Sequence, residues 1–362
     1  MANFSEAASP ALQISRLGVN NFDSVAWDNF IRLYTAECLT AYKRETVLES
    51  LVRQKTISGG KSTTFPMLGR SSVEYFTPGN EITGGKLRAG ERTVLVDDLM
   101  ISSKMIYSLD EAMAYYEVRG QYSEESGNAL AWESDRNCAR MLVKAALATD
   151  LTSAAAIVQS YKQFDEEEFV ANVNIGTVSG DDLDPSAIDK AILDALKLWK
   201  KKSISSRGAV LALSTDNYFS LLDTTDSAKI NWRNSLYGGV SGFSGIQVPT
   251  MHGVEILCVN NMDVSTLWNG ATGVTTDQKP LAASVGSGRT EAYDIPVAYL
   301  PTALLTRGVL FTPDAVCKVN LLGVQVESEY QMRFQGTQFL AKKAEGFNVL
   351  RPASAIALMA VA

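Results

Sequence analysis

This sequence predicts an α+β fold, on three observations. Residues 53–92 hold seven glycines and two prolines between short β-patterned runs, the composition of an extended hairpin. Residues 108–150 carry one long helical pattern with no proline. Residues 185–310 mix helix and strand signals, and residues 309–350 are patterned mainly for strands. The chain has 362 residues, enough for two or three packed domains, and no internal repeat.

Residues 1–24 are rich in Ser, Asn and Ala and read as an extended arm. Within residues 25–45, Trp27, Phe30, Ile31, Tyr34, Cys38 and Ala41 recur at helical spacing. Lys43 and Arg44 fall in the last turn, where cations suit the negative end of the helix dipole.

In the hairpin, Val73 and Tyr75, then Val94 and Val96, predict two strands joined by a long turn-rich link. The segment Ser58 to Gly69, SGGKSTTFPMLG, is expected at its tip. A lone two-stranded hairpin buries little and needs cover, from its own body or from a neighbour. Its charge departs from that of the rest. Arg53, Lys55, Lys61, Arg70, Lys86, Arg88 and Arg92 against Glu74, Glu81 and Glu91 give +4, which leaves −11 for the remainder of a chain of net charge −7.

Ser108-Leu109-Asp110-Glu111 is a capping box opening the long helix. Some 40 residues at 1.5 Å each span roughly 60 Å, longer than a typical globular helix. Gly120 and Gly127 are expected to bend or interrupt it. Its charge is −4, with Glu111, Glu117, Glu124 and Glu125 in the first half.

Asp184-Pro185 opens a helix with Ile188, Ile192, Leu196 and Trp199 on one face and Lys200 to Lys202 near its end. Ala209–Leu213 reads as a buried strand, Ser214 and Thr215 as caps of a short helix, and Val254–Val259 as another strand. Asn269 to Arg289, rich in Gly, Thr and Ser, reads as a surface loop. Val319 to Val326 alternates as a strand does.

Several chemistries are excluded. Gly60-Lys61-Ser62 resembles the second half of a phosphate-binding loop. The first glycine of that motif would stand at position 55, which is Lys55, and Pro66 bars the helix that must follow. An NTPase using Lys61 is therefore the weakest of the readings. The only histidine is His252, too few for a zinc site and unsupported by a nucleophile elbow. Cys38, Cys138, Cys258 and Cys317 are scattered and read as buried thiols. Asp165 to Glu168 is an acidic run, read as a solvated face. With a pI of about 5.0 the chain is no general nucleic-acid binder. No leader and no membrane-spanning run is expected, and no cofactor or metal.

Four stretches together resemble the major capsid proteins of T7-like tailed phages, the HK97-fold capsid family. They are Gly60-Lys61-Ser62 with Phe65-Pro66 and Leu68-Gly69-Arg70, then Glu111-Ala112-Met113 with Tyr116, Val118-Arg119 and Tyr122. Arg333-Phe334-Gln335 with Gln338 and Ala341-Lys342 follows, and then Leu350-Arg351-Pro352. The match is good over roughly residues 30–145 and 325–355. No single motif is specific, but their collinearity is.

The resemblance implies an N-arm at 1–50, an E-loop at 53–95 and a P-domain at 96–184 with its spine helix at 108–150. It implies an A-domain at 185–310 pointing toward the capsomer centre, and C-terminal P-domain strands and tail at 311–362. It also implies self-assembly into hexamers and pentamers that close an icosahedral head. Such a head is made in the host cytoplasm and encloses double-stranded DNA without reading its sequence. A scaffolding protein, a portal at one vertex and a decoration protein would be partners. The E-loop would lie across the adjacent subunit. Arg53, Lys61, Phe65, Pro66, Leu68, Arg70, Tyr75, Phe76, Lys86 and Arg88 are its contact candidates, with Glu111, Glu117, Glu124 and Glu125 as acidic partners on the spine. Met67 would add to the apolar hook. An encapsulin-like nanocompartment shell on the same fold is the alternative.

Overall fold

The computed structural model describes residues 24–68, 75–79, 81–82, 89–107, 119–147, 172–178, 180–222, 251–260 and 305–361. Of the expected arm at 1–24 only Ser24 is described, as the first residue of a helix; the capping box at Ser108–Glu111, the acidic run at 165–168 and the loop at 269–289 lie outside the described residues. The chain divides into two compact units: Met1–Thr46, Asp98–Ser134 and Leu322–Ala344 form one, and Val47–Asp97, Asp135–Leu321 and Glu345–Ala362 the other.

The first unit holds helix α1 (Ser24–Glu45), strand β4 (Met100–Tyr107) and the first part of helix α2 (Arg119–Leu147), with segments of the long strands β9 (Val316–Gln331) and β10 (Gly336–Val349). β10 runs antiparallel to β4, from Gly336 opposite Tyr107 to Lys343 opposite Met100. Tyr34, Cys38 and Tyr42 of α1 pack with Leu130 and Ala131 of α2 and with Ile106, Val326, Phe339 and Ala341 from the strands. The rings of Tyr34 and Phe339 stack at 4.9 Å. The expected break at Gly127 is absent, because α2 runs through it. A Cβ at Gly127 would lie 2.4 Å from the Cys38 carbonyl oxygen. The glycine is there for close helix approach, and the Cys38 thiol donates to the Ser123 carbonyl at 3.1 Å beside it.

The second unit is built on a five-stranded sheet. Its order is β5 (Val173–Ile175), β11 (Ala355–Ala360), β8 (Thr306–Phe311), β6 (Val210–Leu213) and β7 (Glu255–Cys258). Helix α3 (Pro185–Lys201) starts as its sequence predicts: Asp184 caps it by accepting from the Ser186 amide, and Pro185 occupies the first turn. It buries Ile188, Ala191, Ile192, Ala195 and Trp199, and the indole N–H of Trp199 donates to the Ala353 carbonyl at 3.1 Å. A shorter helix, α4 (Thr215–Leu222), follows β6.

β11 lies between β5 and β8, in the sheet of β6 and β7. Five of its six residues are buried, as suits a strand covered on both faces. β1 (Arg53–Thr56), expected to begin the hairpin, runs parallel to β9 in the body, Gln54 opposite Lys318.

Candidate functional site

The hairpin proper is a two-stranded ribbon, β2 (Ser62–Leu68) antiparallel to β3 (Ala89–Leu95), with Phe65 opposite Arg92 and Pro66 opposite Glu91. The first strand is thus the segment that the sequence placed at the tip. The ladder explains why Pro66 fits there. The Val96 amide donates to the Lys61 carbonyl at 2.8 Å, which makes that a hydrogen-bonded pair. Such pairs alternate in an antiparallel ladder, so Pro66–Glu91 is a non-hydrogen-bonded pair and the Pro66 nitrogen points to the outer edge of β2. The ring removes no ladder bond.

The two faces of the ribbon differ. Phe65 and Val94 are buried, whereas Thr64, Pro66, Glu91 and Thr93 are exposed. The outer edge of β3 rests on β10 of the same unit. There the Asn348 side-chain amide donates to the Thr93 carbonyl at 2.9 Å, and the Asp97 amide donates to the Glu345 carbonyl at 3.0 Å. A Cβ on Gly346 would sit 2.1 Å from the Leu95 carbonyl oxygen. On the other edge the Lys55 ammonium reaches the Thr64 carbonyl at 3.4 Å and lies 5.7 Å from the Phe65 ring centre.

Charged groups clamp the root of the ribbon. The Asp135 carboxylate of α2 accepts from the Val47 amide at 2.7 Å and from the Glu49 amide at 3.2 Å. Burial pushes its pKa up to about 6 despite those bonds. The ammonium of Lys318, fully buried on β9, lies 2.5 Å from Glu49 and 2.5 Å from Glu345. Burial alone would lower the Lys318 pKa, but Glu345 and Glu49 more than offset it and hold it above its ordinary value.

Between β2 and β3 in the sequence the chain shows apolar side chains to solvent. Tyr75 is 103% exposed, Phe76 59% and Ile82 79%. Of the remaining predicted contacts, Lys61 and Pro66 are exposed, and Leu68 ends β2. Phe65 is only 3% exposed, because it faces the interior of its own unit. Arg53 meets Asp314 of its own chain at 3.6 Å, since β1 belongs to the body sheet. Glu124 and Glu125 are exposed on α2. Arg70, Lys86, Arg88, Glu111 and Glu117 lie outside the described residues, as does the side chain of Met67. Sequence reasoning missed Ile82; its only signal is a lone aliphatic residue in a run of turn formers.

His252 pairs with Asp189 at 2.7 Å, and the four cysteines are free thiols. Among the described residues no group of three His, Cys, Asp or Glu side chains could hold a metal, and no helix is long and apolar enough to cross a membrane.

Residues 64–359 match the Gp10A-like family, described as major capsid protein. The chain belongs to that family. This capsid subunit is 25% identical over 337 residues to the major capsid protein of Escherichia phage T7, covering 91% of each chain. It superimposes on the capsid structure of cyanophage P-SCSP1u with a TM-score of 0.63 at 25% identity, over 87% of this chain and 88% of that one. The mature capsid of bacteriophage PhiM1 gives 0.61 at 12% identity, over 87% of both. The fold is HK97-like, and the capsid subunit is a structural protein of a tailed double-stranded DNA phage, a component of the icosahedral head. The family match decides between the phage head and the nanocompartment.

Proposed function

We propose that this capsid subunit joins hexamers and pentamers through the loop between β2 and β3, laid across the adjacent subunit. The observation that carries this is the contrast along one hairpin. The base is locked to its own body at Gly346, Thr93 and Asp97, while Tyr75, Phe76 and Ile82 stand exposed beyond it. Burying one such side chain gains roughly 1.5–3 kcal/mol, against at most about 1 kcal/mol for an exposed ion pair. The apolar trio therefore supplies most of the adhesion. The charges Lys61, Arg70, Lys86 and Arg88 against Glu111, Glu117, Glu124 and Glu125 of the neighbour set register.

In this reading residues 1–50 form the N-arm, 53–95 the E-loop, 96–184 the P-domain with its spine helix at 108–150, 185–310 the A-domain and 311–362 the C-terminal P-domain strands and tail. In the same reading a scaffolding protein serves during assembly, a portal takes one vertex of the head, and a decoration protein is a further candidate partner. The head is assembled in the host cytoplasm. The net charge of −7 suits a wall that holds DNA without gripping its phosphates.

The test is the triple variant Tyr75→Ser, Phe76→Ser and Ile82→Ser, imaged by electron microscopy beside the unaltered chain. It should melt as the unaltered chain does and form no heads. Heads of normal yield from this variant would sink the reading.

A further inference from the structure

We propose that the solvent face of α3 and the loop after it form a docking strip for the phosphate backbone of duplex DNA, indifferent to base sequence. This rests on the reading that the subunit walls a DNA-filled head, and adds which residues of the wall meet the duplex.

At 3.6 residues per turn, Lys190, Asp194, Lys197 and Lys201 fall on one side of α3, roughly opposite the buried Ile188, Ile192, Ala195 and Trp199. The three lysines are exposed. Asp194 is the one acid in the row, and Lys197 binds it at 2.7 Å. That bond, with the charges of Lys197, Lys190 and Lys201, holds the Asp194 carboxyl below its ordinary range. Asp189, the other acid of α3, is engaged by His252 at 2.7 Å.

Lys200 is exposed beside the row, and Arg207 is exposed in the loop beyond the helix. The Ser205 hydroxyl accepts from the Arg207 amide at 3.3 Å, so its own O–H can donate to a phosphate. Residues 185–208 hold six cations against two acids, a charge of +4 in a chain of −7.

Helix stability does not account for the row. Lys197 and Lys201 stand four apart and Lys197 and Lys200 three apart, like-charge spacings that weaken a helix. The helix dipole favours cations in the last turn, which covers Lys200 and Lys201 but not Lys190, Lys197 or Arg207. A protein partner does not account for it either. Lysine is depleted at protein interfaces, whose centres are rich in apolar and aromatic side chains. Among the described residues, no large apolar side chain between Leu183 and Phe219 is exposed. A positive surface without apolar relief fits nucleic acid. From Lys190 to Lys201 the row is about 16 Å long, and a duplex lays roughly ten phosphate charges against that length at one per ~1.7 Å. Few such contacts, on an otherwise acidic wall, hold the duplex weakly enough for it to slide.

The experiment compares the unassembled full chain with the variant Lys190→Gln, Lys197→Gln, Lys201→Gln and Arg207→Gln. Each is titrated with a short random-sequence duplex at salt from about 50 to 200 mM. The unaltered chain should bind, more weakly as salt rises. The variant should bind at least about tenfold more weakly at the lowest salt. Its slope of log K against log salt should be shallower by about 3 to 4, the share of four phosphate contacts at ~0.9 each. The set Lys190→Arg, Lys197→Arg and Lys201→Arg keeps the charges and should retain the binding. An unaltered chain that binds no duplex overturns the proposal, as does a glutamine variant of unchanged affinity and slope. So does an arginine set that binds as poorly as the glutamine set. Both variants should melt as the unaltered chain does and form heads in normal yield, because the row serves DNA and not assembly. Loss of heads in the glutamine variant would assign the row to a contact between subunits and overturn the proposal, leaving the reading of Tyr75, Phe76 and Ile82 untouched. If the glutamine set does not fold, Lys201→Gln with Arg207→Gln replaces it. The slope should then fall by about 2, and an unchanged slope overturns the proposal.

Discussion

Gly346 and Leu95 touch backbone to backbone: a Cβ on Gly346 would lie 2.1 Å from the Leu95 carbonyl oxygen and 3.0 Å from the Val96 Cα. Both obstacles are main chain and cannot rotate aside. Gly346→Ala should therefore push β3 off β10, at a cost of roughly 1–3 kcal/mol. Calorimetry should show a lower melting temperature, and the yield of heads should fall with it. An unchanged melting temperature would mean that the ribbon shifts freely on the body.

Gly127 sets two known effects against each other. Alanine gains up to about 1 kcal/mol in helix propensity. Its methyl would meet the Cys38 carbonyl at 2.4 Å and the Ala41 Cβ at 2.9 Å, and overpacking of this kind loses about 1–3 kcal/mol. Gly127→Ala should be destabilising in chemical denaturation. Gly120→Ala, with open space around its Cβ, should be neutral or stabilising.

Lys318 is held between two carboxylates, so its removal leaves Glu345 buried and Glu49 half-buried without it. Lys318→Ala should destabilise by about 3–5 kcal/mol, the range for breaking one side of a buried pair. The sign with pH follows from its raised pKa. The stabilisation is complete below the ordinary lysine value of 10.5 and is lost as pH rises through the higher folded value. Melting curves from pH 9 upward should show this loss in the unaltered chain and not in Lys318→Met.

Asp135 behaves in the opposite sense. A carboxyl raised from 3.8 to about 6 binds its proton more tightly in the folded state than in the unfolded one. Stability from this group therefore rises as pH falls between about 6 and 3.8. The melting temperature of the unaltered chain minus that of Asp135→Asn should become more positive from pH 7 to pH 4. A difference independent of pH would show that Asp135 does not titrate there.

Local signals carried the helices well. Asp184-Pro185 and the Ile188–Trp199 stripe state the start and buried face of α3 by themselves. Three features were illegible because each depends on a partner remote in sequence. Pro66 reads as a turn residue until the Lys61–Val96 bond fixes which way its nitrogen points. Gly127 reads as a bend until α1 is packed against it. Lys318 reads as the polar position of a strand, yet Glu49 and Glu345 make its full burial tolerable. Within the candidate site, the sequence placed Tyr75 in a strand, whereas it stands exposed outside β2 and β3. The burial of Phe65 was not legible, since only the pairing register turns it inward.

The nitrogen of Pro66 faces the outer edge of β2, and among the described residues no strand pairs with that edge. A head gathers many copies of this hairpin at high local concentration, and a bare strand edge is a template for fibrils. At that position a third strand would find no amide to grip, and on the same edge the Thr64 carbonyl is already taken by Lys55. Pro66 thus makes that edge of the ribbon a poor template for a further strand.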